Sequence, residues 1–265
     1  SPRSPPTWQS LLDQAITTPG LVHAAYTRFH QYSFHNQLLA IAQCNERGIT
    51  PGPLKTFKGW LALGRAVRKG EKALTLRTPI TRRQEPNTDE AVVVGFTFRA
   101  RWFTLAQTDG DEYTKVTTPS WTEERALATL RITLVPFTAT NGNIEGYAEP
   151  GRIAISPIAA LPHKTLFHEL GHLVLQHHES DLPKPIKEAE AEAVALLCCE
   201  ALNLPGAVYA RGYIQNWQQG NTFTDDNAQR IITATQQILK AGQDTNKGTA
   251  DESEEQERPC ARTRS

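Results

Sequence analysis

Hydrophobic residues recur with helical spacing along the first part of the chain. Apolar side chains three and four positions apart predict helix over residues 8–46. The Pro- and Gly-rich stretch at residues 50–53 breaks this pattern, and a short helix is expected at residues 56–64. Apolar and polar residues alternate over residues 73–80, and residues 92–103 are rich in β-branched and aromatic side chains. These two runs predict a β-hairpin with a long polar loop between its strands.

The second half of the chain changes from strands to helices. After a helix at residues 123–130, strands are expected at residues 132–137 and 151–155, and Asn141-Gly142 between them is typical of a hairpin turn. Helical spacing then predicts three or four helices, at about residues 162–178, 185–203, 206–217 and 224–241. The pattern therefore predicts an α+β fold, with N-terminal helices and a small sheet followed by a β-hairpin sheet and a helical core.

Both ends of the chain are polar. Residues 1–7 are rich in Pro and Ser, and residues 242–265 are rich in acidic residues, so both segments are expected to be disordered. Turn-forming residues at 109–111 and 117–119 follow the predicted strands, and we place a domain boundary near residue 118. The predicted domains are therefore residues 8–118 and 119–241.

The composition is that of a soluble globular protein. Of the 265 residues, 39% are hydrophobic and 21% are charged, which excludes a collagen-like or a wholly disordered chain. No stretch approaches 18 uninterrupted apolar residues, so no membrane partner is expected. No secretory signal is visible, and no CxxC pair occurs among the cysteines, so we expect reduced structural thiols in a cytoplasmic protein. The cysteines are Cys44, Cys198, Cys199 and Cys260.

The sequence His168-Glu169-Leu170-Gly171-His172 is an HExxH motif. On a helix, residues i and i+4 share a face, so His168 and His172 can bind one metal ion. Glu169 can then act as general base toward a metal-bound water. A pair of surface histidines on an amphipathic helix is the alternative, but the apolar flanks of the motif favour a catalytic metal site.

A hydrolytic zinc site usually has three protein ligands and one open position. His178 has the separation from the second motif histidine that is seen in metzincins, but that arrangement needs a glycine where this chain has Leu175. Glu188 and Glu192 share one face of the next predicted helix, whereas Glu190 points away from it. We predict Glu188 as the third ligand and Glu192 as a hydrogen-bond acceptor for a ligand histidine, the glutamate pattern of gluzincins. His178 and Glu192 remain the alternative ligands.

Two further features of the predicted site stay open. Zn²⁺ is the expected metal, with another divalent cation such as Mn²⁺ as the alternative. Hydrolysis also needs a group that stabilises the oxyanion. The candidates by sequence position are Tyr147, His177, Tyr209, Arg211 and Tyr213.

Basic residues are concentrated in one segment of an otherwise balanced chain. The whole chain has 28 basic and 28 acidic residues, but residues 52–83 contain nine Lys or Arg and one acid. Phe57 and Trp60 lie among these cations. Phosphates attract Lys and Arg, and unpaired bases stack on aromatic rings, so this segment predicts nucleic-acid binding. A solvated basic face over an ordinary core is the alternative.

Taken in order, several segments resemble the ArdC-type antirestriction family of plasmids and other mobile elements. They are residues 32–39, the Trp-containing segment 59–72 that ends in VRKGEK, residues 103–108, the HELGH motif and the glutamate-rich helix after it. The likeness covers about residues 8–240. It implies an N-terminal single-stranded-DNA-binding domain and a C-terminal, gluzincin-like zinc metallopeptidase domain related to the ImmA/IrrE and SPRTN-like peptidases.

The resemblance also implies partners and contacts. The partners would be single-stranded DNA and a protein or peptide substrate, which could itself be bound to DNA, and the biological role would be protection of mobile-element DNA from restriction. Two other functions stay open: a non-enzymatic DNA-binding shield with a structural metal, and an ImmA/IrrE-like peptidase that cleaves a repressor. The implied DNA contacts are Trp60, Arg65, Arg68, Lys69 and Lys72.

Overall fold

The computed structural model describes residues 6–83, 91–114, 117–139, 142 and 144–244, without the side chains of Arg83 and Ala91. Its mixed α+β architecture agrees with the predicted fold class. The helices are α1 (Trp8–Thr17), α2 (Leu21–Phe29), α3 (Phe34–Arg47), α4 (Phe57–Leu61), α5 (Glu123–Leu130), α6 (Pro162–Val174), α7 (Lys184–Ala201), α8 (Ala207–Trp217) and α9 (Asp225–Ala241). The strands are β1 (Leu54–Thr56), β2 (Arg65–Val67), β3 (Leu74–Arg83), β4 (Ala91–Thr104), β5 (Thr108–Gly110), β6 (Thr133–Leu134), β7 (Gly146–Glu149) and β8 (Arg152–Ile155).

The long helical region at the N-terminus consists of three helices. Gly20 has a left-handed φ of 82° before α2, and the Ser33 side chain accepts a hydrogen bond from Asn36 N–H at the start of α3. Thr7 caps α1 in the same way, so the ordered chain begins before the predicted end of the disordered segment. The rest of that prediction, residues 1–5, lies outside the described residues, as do residues 245–265 of the predicted tail.

The predicted hairpin of residues 73–80 and 92–103 is confirmed as the antiparallel pair β3–β4. β1 pairs with the other side of β4, giving the order β1-β4-β3, while β2 and β5 form a separate two-stranded sheet. Helix α3 lies along the free edge of β3. There the Asn36 amide pairs with the N–H and C=O of Arg77 at 2.8 and 2.9 Å, and the Gln43 amide pairs with those of Thr75 at 2.9 and 2.8 Å.

These amides give the edge strand the hydrogen bonds that another strand would supply. Leu74 and Leu76 pack into the core, and beyond them both faces of the outer part of the hairpin reach solvent.

The predicted second hairpin is wrong in its pairing. The antiparallel partner of β8 is β7, and the turn between them passes through Gly151, which has a φ of 73°. The strand expected at residues 132–137 is reduced to β6, which pairs with β8 in parallel. Asn141, the first residue of the predicted turn, lies outside the described residues. The Asn-Gly signal is local, and Gly151 supplies the left-handed conformation that the observed turn needs.

Helices from both sides of the predicted boundary near residue 118 share one hydrophobic core. α1 and α3 pack on α9, and α2 packs on α7. A buried ion pair between Glu200 and Arg211 reinforces these contacts. Glu200 also accepts a hydrogen bond from Val22 N–H at 3.3 Å, and Arg211 donates to the Ile16 carbonyl at 2.6 Å. The first helices are therefore anchored to the helices that carry the candidate site.

Within the described part of the chain, Cys44, Cys198 and Cys199 are buried and free, which agrees with a structural role. Cys260 lies outside that part. None of the described helices combines the length and hydropathy that a membrane span requires.

Candidate metal centre

Two neighbouring helices bring three potential metal ligands together. His168 and His172 lie one turn apart on α6, and Glu188 lies on α7. The His168 Nε2 and His172 Nε2 atoms are 3.1 Å apart, and they lie 3.4 and 3.7 Å from Glu188 Oε2. A tetrahedral site with metal–ligand distances of about 2.0–2.1 Å has ligand atoms about 3.3 Å apart. The triangle therefore has the size that one divalent cation needs.

The close approach of α6 and α7 sets the size of this triangle. A Cβ at Gly171 would lie 3.2 Å from Ala191 Cα and 3.3 Å from Val194 Cβ, so position 171 has room for glycine alone without a shift. The alternating alanines of α7 permit this approach.

Glu192 supports the first ligand histidine. The His168 Nδ1–H donates to Glu192 Oε2 at 2.9 Å, and Lys164 Nζ lies 2.7 Å from the other carboxylate oxygen. Burial lowers the pKa of His168, but the hydrogen bonds to Glu188 and Glu192 outweigh it and raise the pKa to about 9. Burial raises the pKa of Glu192, but the hydrogen bonds from His168 and Lys164 outweigh that effect and lower it. Glu192 thus has the supporting position that the sequence analysis assigned to it.

The second ligand histidine has a support that the sequence analysis missed. His172 Nδ1 lies 2.8 Å from His177 Nδ1, and His177 Nε2 lies 2.8 Å from Glu190 Oε2. α6 ends at Val174 rather than at residue 178, and Gln176 takes a left-handed φ of 55°, which turns the chain so that His177 lies behind His172. No glycine marks this turn, so the sequence offered no signal for it.

Burial lowers the pKa of His177, and the charges of His172 and Arg230 add to this effect, although the Glu190 hydrogen bond opposes it. Glu190 does point away from the ligand face, as predicted, but toward this second histidine.

Glu169 follows the first ligand and is almost fully buried. Burial raises its pKa above the ordinary value, and the Glu188 charge adds to this effect, while the charges of His168, His172 and Lys164 oppose it. Strand β7 lies directly against this carboxylate. A Cβ at Gly146 would be 3.1 Å from Glu169 Cγ, so the glycine lets the strand pass beside the general-base candidate.

His178 does not join the metal-ligand group. The turn after α6 leaves its Nε2 atom 3.5 Å from Glu179 Oε1, at the surface. Glu188 is the carboxylate in the group, and the close approach of the His168 and His172 imidazoles lowers its pKa well below the ordinary value.

The five candidates for oxyanion stabilisation lie in different environments. His177 lies behind His172, and Arg211 is held by Glu200 in the core. The Tyr147 hydroxyl donates to the Pro136 carbonyl at 3.4 Å, and Tyr209 is largely exposed. Burial raises the pKa of Tyr213, and the charges of Glu188 and Glu192 raise it further, so the Tyr213 phenol lies in the electrostatic field of the candidate site.

Among the predicted DNA contacts, Trp60 requires a correction. Its side chain is fully buried, its Nε1–H donates to the Phe103 carbonyl at 2.9 Å, and its ring packs against Tyr113. A base cannot stack on this ring while the domain is folded. The tryptophan of the family motif is therefore a core residue.

The other predicted contacts divide into two groups. Arg65 donates to the Thr108 hydroxyl and to nearby carbonyls of β5, and Arg68 pairs with Glu71 at 2.8 Å and with Asp109 at 3.4 Å. These arginines hold the small β2–β5 sheet together. Lys69 and Lys72 are exposed beside the tight turn at Gly70, and they remain predictions as DNA contacts.

The hairpin presents an exposed aromatic surface. Phe96 and Phe98 point to the same face of β4 and are 49% and 39% exposed. The Arg77 guanidinium lies over the Phe96 ring, 3.5 Å from its centroid. Arg101 is exposed farther along the same strand. We call these four residues the hairpin surface.

Comparison with known proteins bears most directly on the N-terminal half. Residues 7–119 match the family model described as the N-terminal domain of anti-restriction factor ArdC. The chain therefore contains an ArdC-type N-terminal domain. No curated protein sequence matches it.

The ArdC-type fold extends over most of the chain. The Mn(II)-bound crystal structure of the antirestriction ArdC protein from the R388 plasmid aligns with a TM-score of 0.52 and 18% identity, covering 89% of this chain and 97% of that chain. The metal-free crystal structure of the R388 protein aligns with a TM-score of 0.49 and 20% identity, covering 89% and 94%. At this identity the similarity to the Mn(II)-bound structure establishes the fold.

Proposed function

We propose that this protein is an ArdC-type, metal-dependent peptidase that binds single-stranded DNA through its N-terminal half. One observation carries the peptidase proposal: the ligand atoms of His168, His172 and Glu188 form a triangle of metal-binding size, and Glu169 lies on the same helix. Three protein ligands leave a coordination position open, which is typical of catalytic rather than structural zinc sites.

His168, His172 and Glu188 would hold the cation. When bound, a divalent metal would supply Lewis acidity at the reacting carbonyl. Zn²⁺ suits two imidazoles and one carboxylate, and the Mn(II)-bound structure of the R388 protein supports Mn²⁺ as the alternative.

Glu169 would accept the proton of the attacking water. Burial moves the pKa of Glu169 upward, toward neutral pH, which favours proton transfer in both directions.

Strand β7 lies at the end of the described β6-β8-β7 sheet and passes beside Glu169, so an extended peptide could pair with its main chain. This arrangement supports a polypeptide substrate.

The test uses the full chain loaded with Zn²⁺ or Mn²⁺ and fluorescently labelled casein as probe, with and without single-stranded DNA. Glu169→Gln should lower hydrolysis by about 10²- to 10⁴-fold, because the general base is lost, while metal binding is retained. Glu179→Gln is the matched control, because Glu179 is an exposed carboxylate beyond the end of α6. Casein cleavage by the Glu169 variant at the wild-type rate would contradict the mechanism.

The hairpin surface supports the DNA proposal. Single-stranded DNA is bound by cations that follow the phosphates and by exposed aromatic rings on which bases stack. Phe96 and Phe98 provide such rings, Arg77 provides a cation over the Phe96 ring, and Arg101 is an exposed cation farther along β4. We therefore propose this surface, rather than Trp60, as the stacking site.

Phe96→Ala and Phe98→Ala should each weaken binding of labelled oligo(dT) by about 5- to 150-fold, since one stacked base contributes about 1–3 kcal/mol. Phe57→Ala is the matched control, because Phe57 is also 49% exposed but lies on α4 in the basic segment. A loss of affinity in the Phe57 variant alone would return the DNA site to the segment that the sequence first indicated.

We further propose an antirestriction role, which the ArdC N-terminal domain supports. Glu169→Gln also separates this peptidase from a non-enzymatic shield in cells. A variant that still protects incoming DNA from restriction would favour the shield, and loss of protection would favour proteolysis.

A further inference from the structure

A chain of buried hydrogen bonds runs from His172 to the far side of α7. It passes from His172 Nδ1 to His177 Nδ1 and from His177 Nε2 to Glu190 Oε2, each over 2.8 Å. Glu190 is fully buried, and His177 is nearly so. The Glu190 carboxylate also accepts from Asn227 Nδ2 at 2.8 Å and from Arg230 at 3.3 Å.

The hydrogen-bonding capacity of each group fixes the direction of this chain. Glu190 is surrounded by donors and paired with Arg230, so its carboxylate accepts and His177 Nε2–H donates. In a neutral imidazole the other nitrogen carries a lone pair, so His177 Nδ1 accepts. His172 Nδ1 faces that lone pair and must donate. The His172 proton is then on Nδ1, and its Nε2 lone pair points toward His168 and Glu188.

We propose that His177 and Glu190 are positioning residues that hold His172 in its metal-binding tautomer. This inference rests on the proposed metal site. His168 is backed directly by the Glu192 carboxylate, whereas His172 depends on an intermediate histidine, so the two ligands have different supports. The Lys187 ammonium, which donates to the His177 carbonyl at 2.8 Å, helps to fix that histidine in place.

Two substitutions at His177 separate positioning from packing. His177→Asn keeps an oxygen acceptor near the position of Nδ1, whereas His177→Phe keeps the ring volume and removes the acceptor. A positioning role predicts that the Phe variant binds Zn²⁺ and Mn²⁺ about 10- to 100-fold more weakly and that the Asn variant recovers most of the affinity. A packing role predicts the reverse order. His178→Phe, at the exposed neighbouring histidine, is the control and should leave affinity unchanged.

The measurements are metal titrations of the full-length variants and long-range ¹H–¹⁵N NMR of the histidine rings in the metal-free wild-type protein. The NMR spectrum should show His172 protonated on Nδ1 and unprotonated on Nε2. A proton on His172 Nε2, or wild-type metal affinity in the Phe variant, would overturn the inference. If the wild-type protein binds neither cation, the proposed metal function fails, while the His172 tautomer still decides the inference by itself.

Discussion

The candidate metal centre and the hairpin surface differ in how the sequence specifies them. The metal centre depends on residues four positions apart on α6 and on one face of α7, and helical geometry converts these spacings into contacts. The hairpin surface depends on which side chains of β3 and β4 remain uncovered after α3 has taken the strand edge. A site built within regular helices is therefore visible in one sequence, whereas a surface is defined only by what packs around it.

Trp60 and Phe96 illustrate the second case. Both are aromatic residues close to basic side chains in sequence, and only the fold distinguishes a core ring from an exposed one. Substitutions in one region should therefore leave the other region unchanged.

The largest effect is expected at the third ligand. Glu188→Gln replaces the carboxylate of the triangle with a neutral amide and should weaken Zn²⁺ and Mn²⁺ binding by more than about 100-fold. Loss of a residue that only supports a ligand would weaken binding by about 10- to 100-fold. Affinity for oligo(dT) should not change, because the hairpin surface lies in the other half of the chain. Metal titration and DNA titration of the same variant check both statements. Loss of DNA binding would show that the two regions are coupled.

The next effect concerns His35, which lies between the hairpin and α9. Burial, and then the positive charge of Arg77, lower the pKa of His35 to about 4, although a hydrogen bond to Gln236 opposes the shift. The unfolded chain, with a His pKa near 6.5, binds this proton more strongly, so the contribution of His35 to stability is complete above pH 6.5 and is lost as the pH falls toward 4. The free energy of unfolding should decrease by up to about 3 kcal/mol over that range.

His35→Gln should remove most of this pH dependence in denaturant titrations at pH 4.5 and pH 7. An equal slope in the variant would assign the acid sensitivity to other groups.

A smaller effect is expected where α6 meets α7. Gly171→Ala places a methyl group 3.2 Å from the α7 backbone and should lower the free energy of unfolding by about 1–3 kcal/mol, with a weaker metal site because the helices move apart. Gly212→Ala is the matched control: Gly212 lies within α8, its Cβ would meet open space, and alanine favours helix there by about 0.5–1 kcal/mol. Thermal unfolding distinguishes the two. Equal stabilisation of both variants would mean that α6 and α7 can separate freely.

The smallest effect is expected when a single cation is removed from the hairpin surface or from the Gly70 turn. Each phosphate contact that is lost should reduce the slope of log affinity against log salt by about 0.7 for single-stranded DNA. Arg101→Gln, at the hairpin surface, should show this reduction, and Lys69→Gln, at the Gly70 turn, should show less. The opposite order would support the lysines that the family resemblance indicated.

Local periodicity predicted most of the fold, because helix and strand patterns are properties of neighbouring residues. It identified the β3–β4 hairpin and the helices of the C-terminal half to within a few residues. It missed the end of α6, because Gln176 adopts a left-handed conformation that carries no glycine signal. The His177–Glu190 support was missed for the same reason, since it exists only after that turn. The parallel β6–β8 pairing depends on contacts between segments that no local pattern connects.

The core shared by the two halves has a consequence for the order in which a nascent chain can fold. The Gln9 N–H donates to Asp225 at 3.0 Å, and the Phe34 N–H donates to Gln236 at 2.8 Å, so the first helices complete their contacts with the last one. On the ribosome, the apolar faces of α1 and α3 must wait for α9, whereas the β3–β4 hairpin closes through neighbouring residues and can form long before. Synthesis would therefore produce the hairpin first and the complete helical core last, with the N-terminal helices uncovered in between.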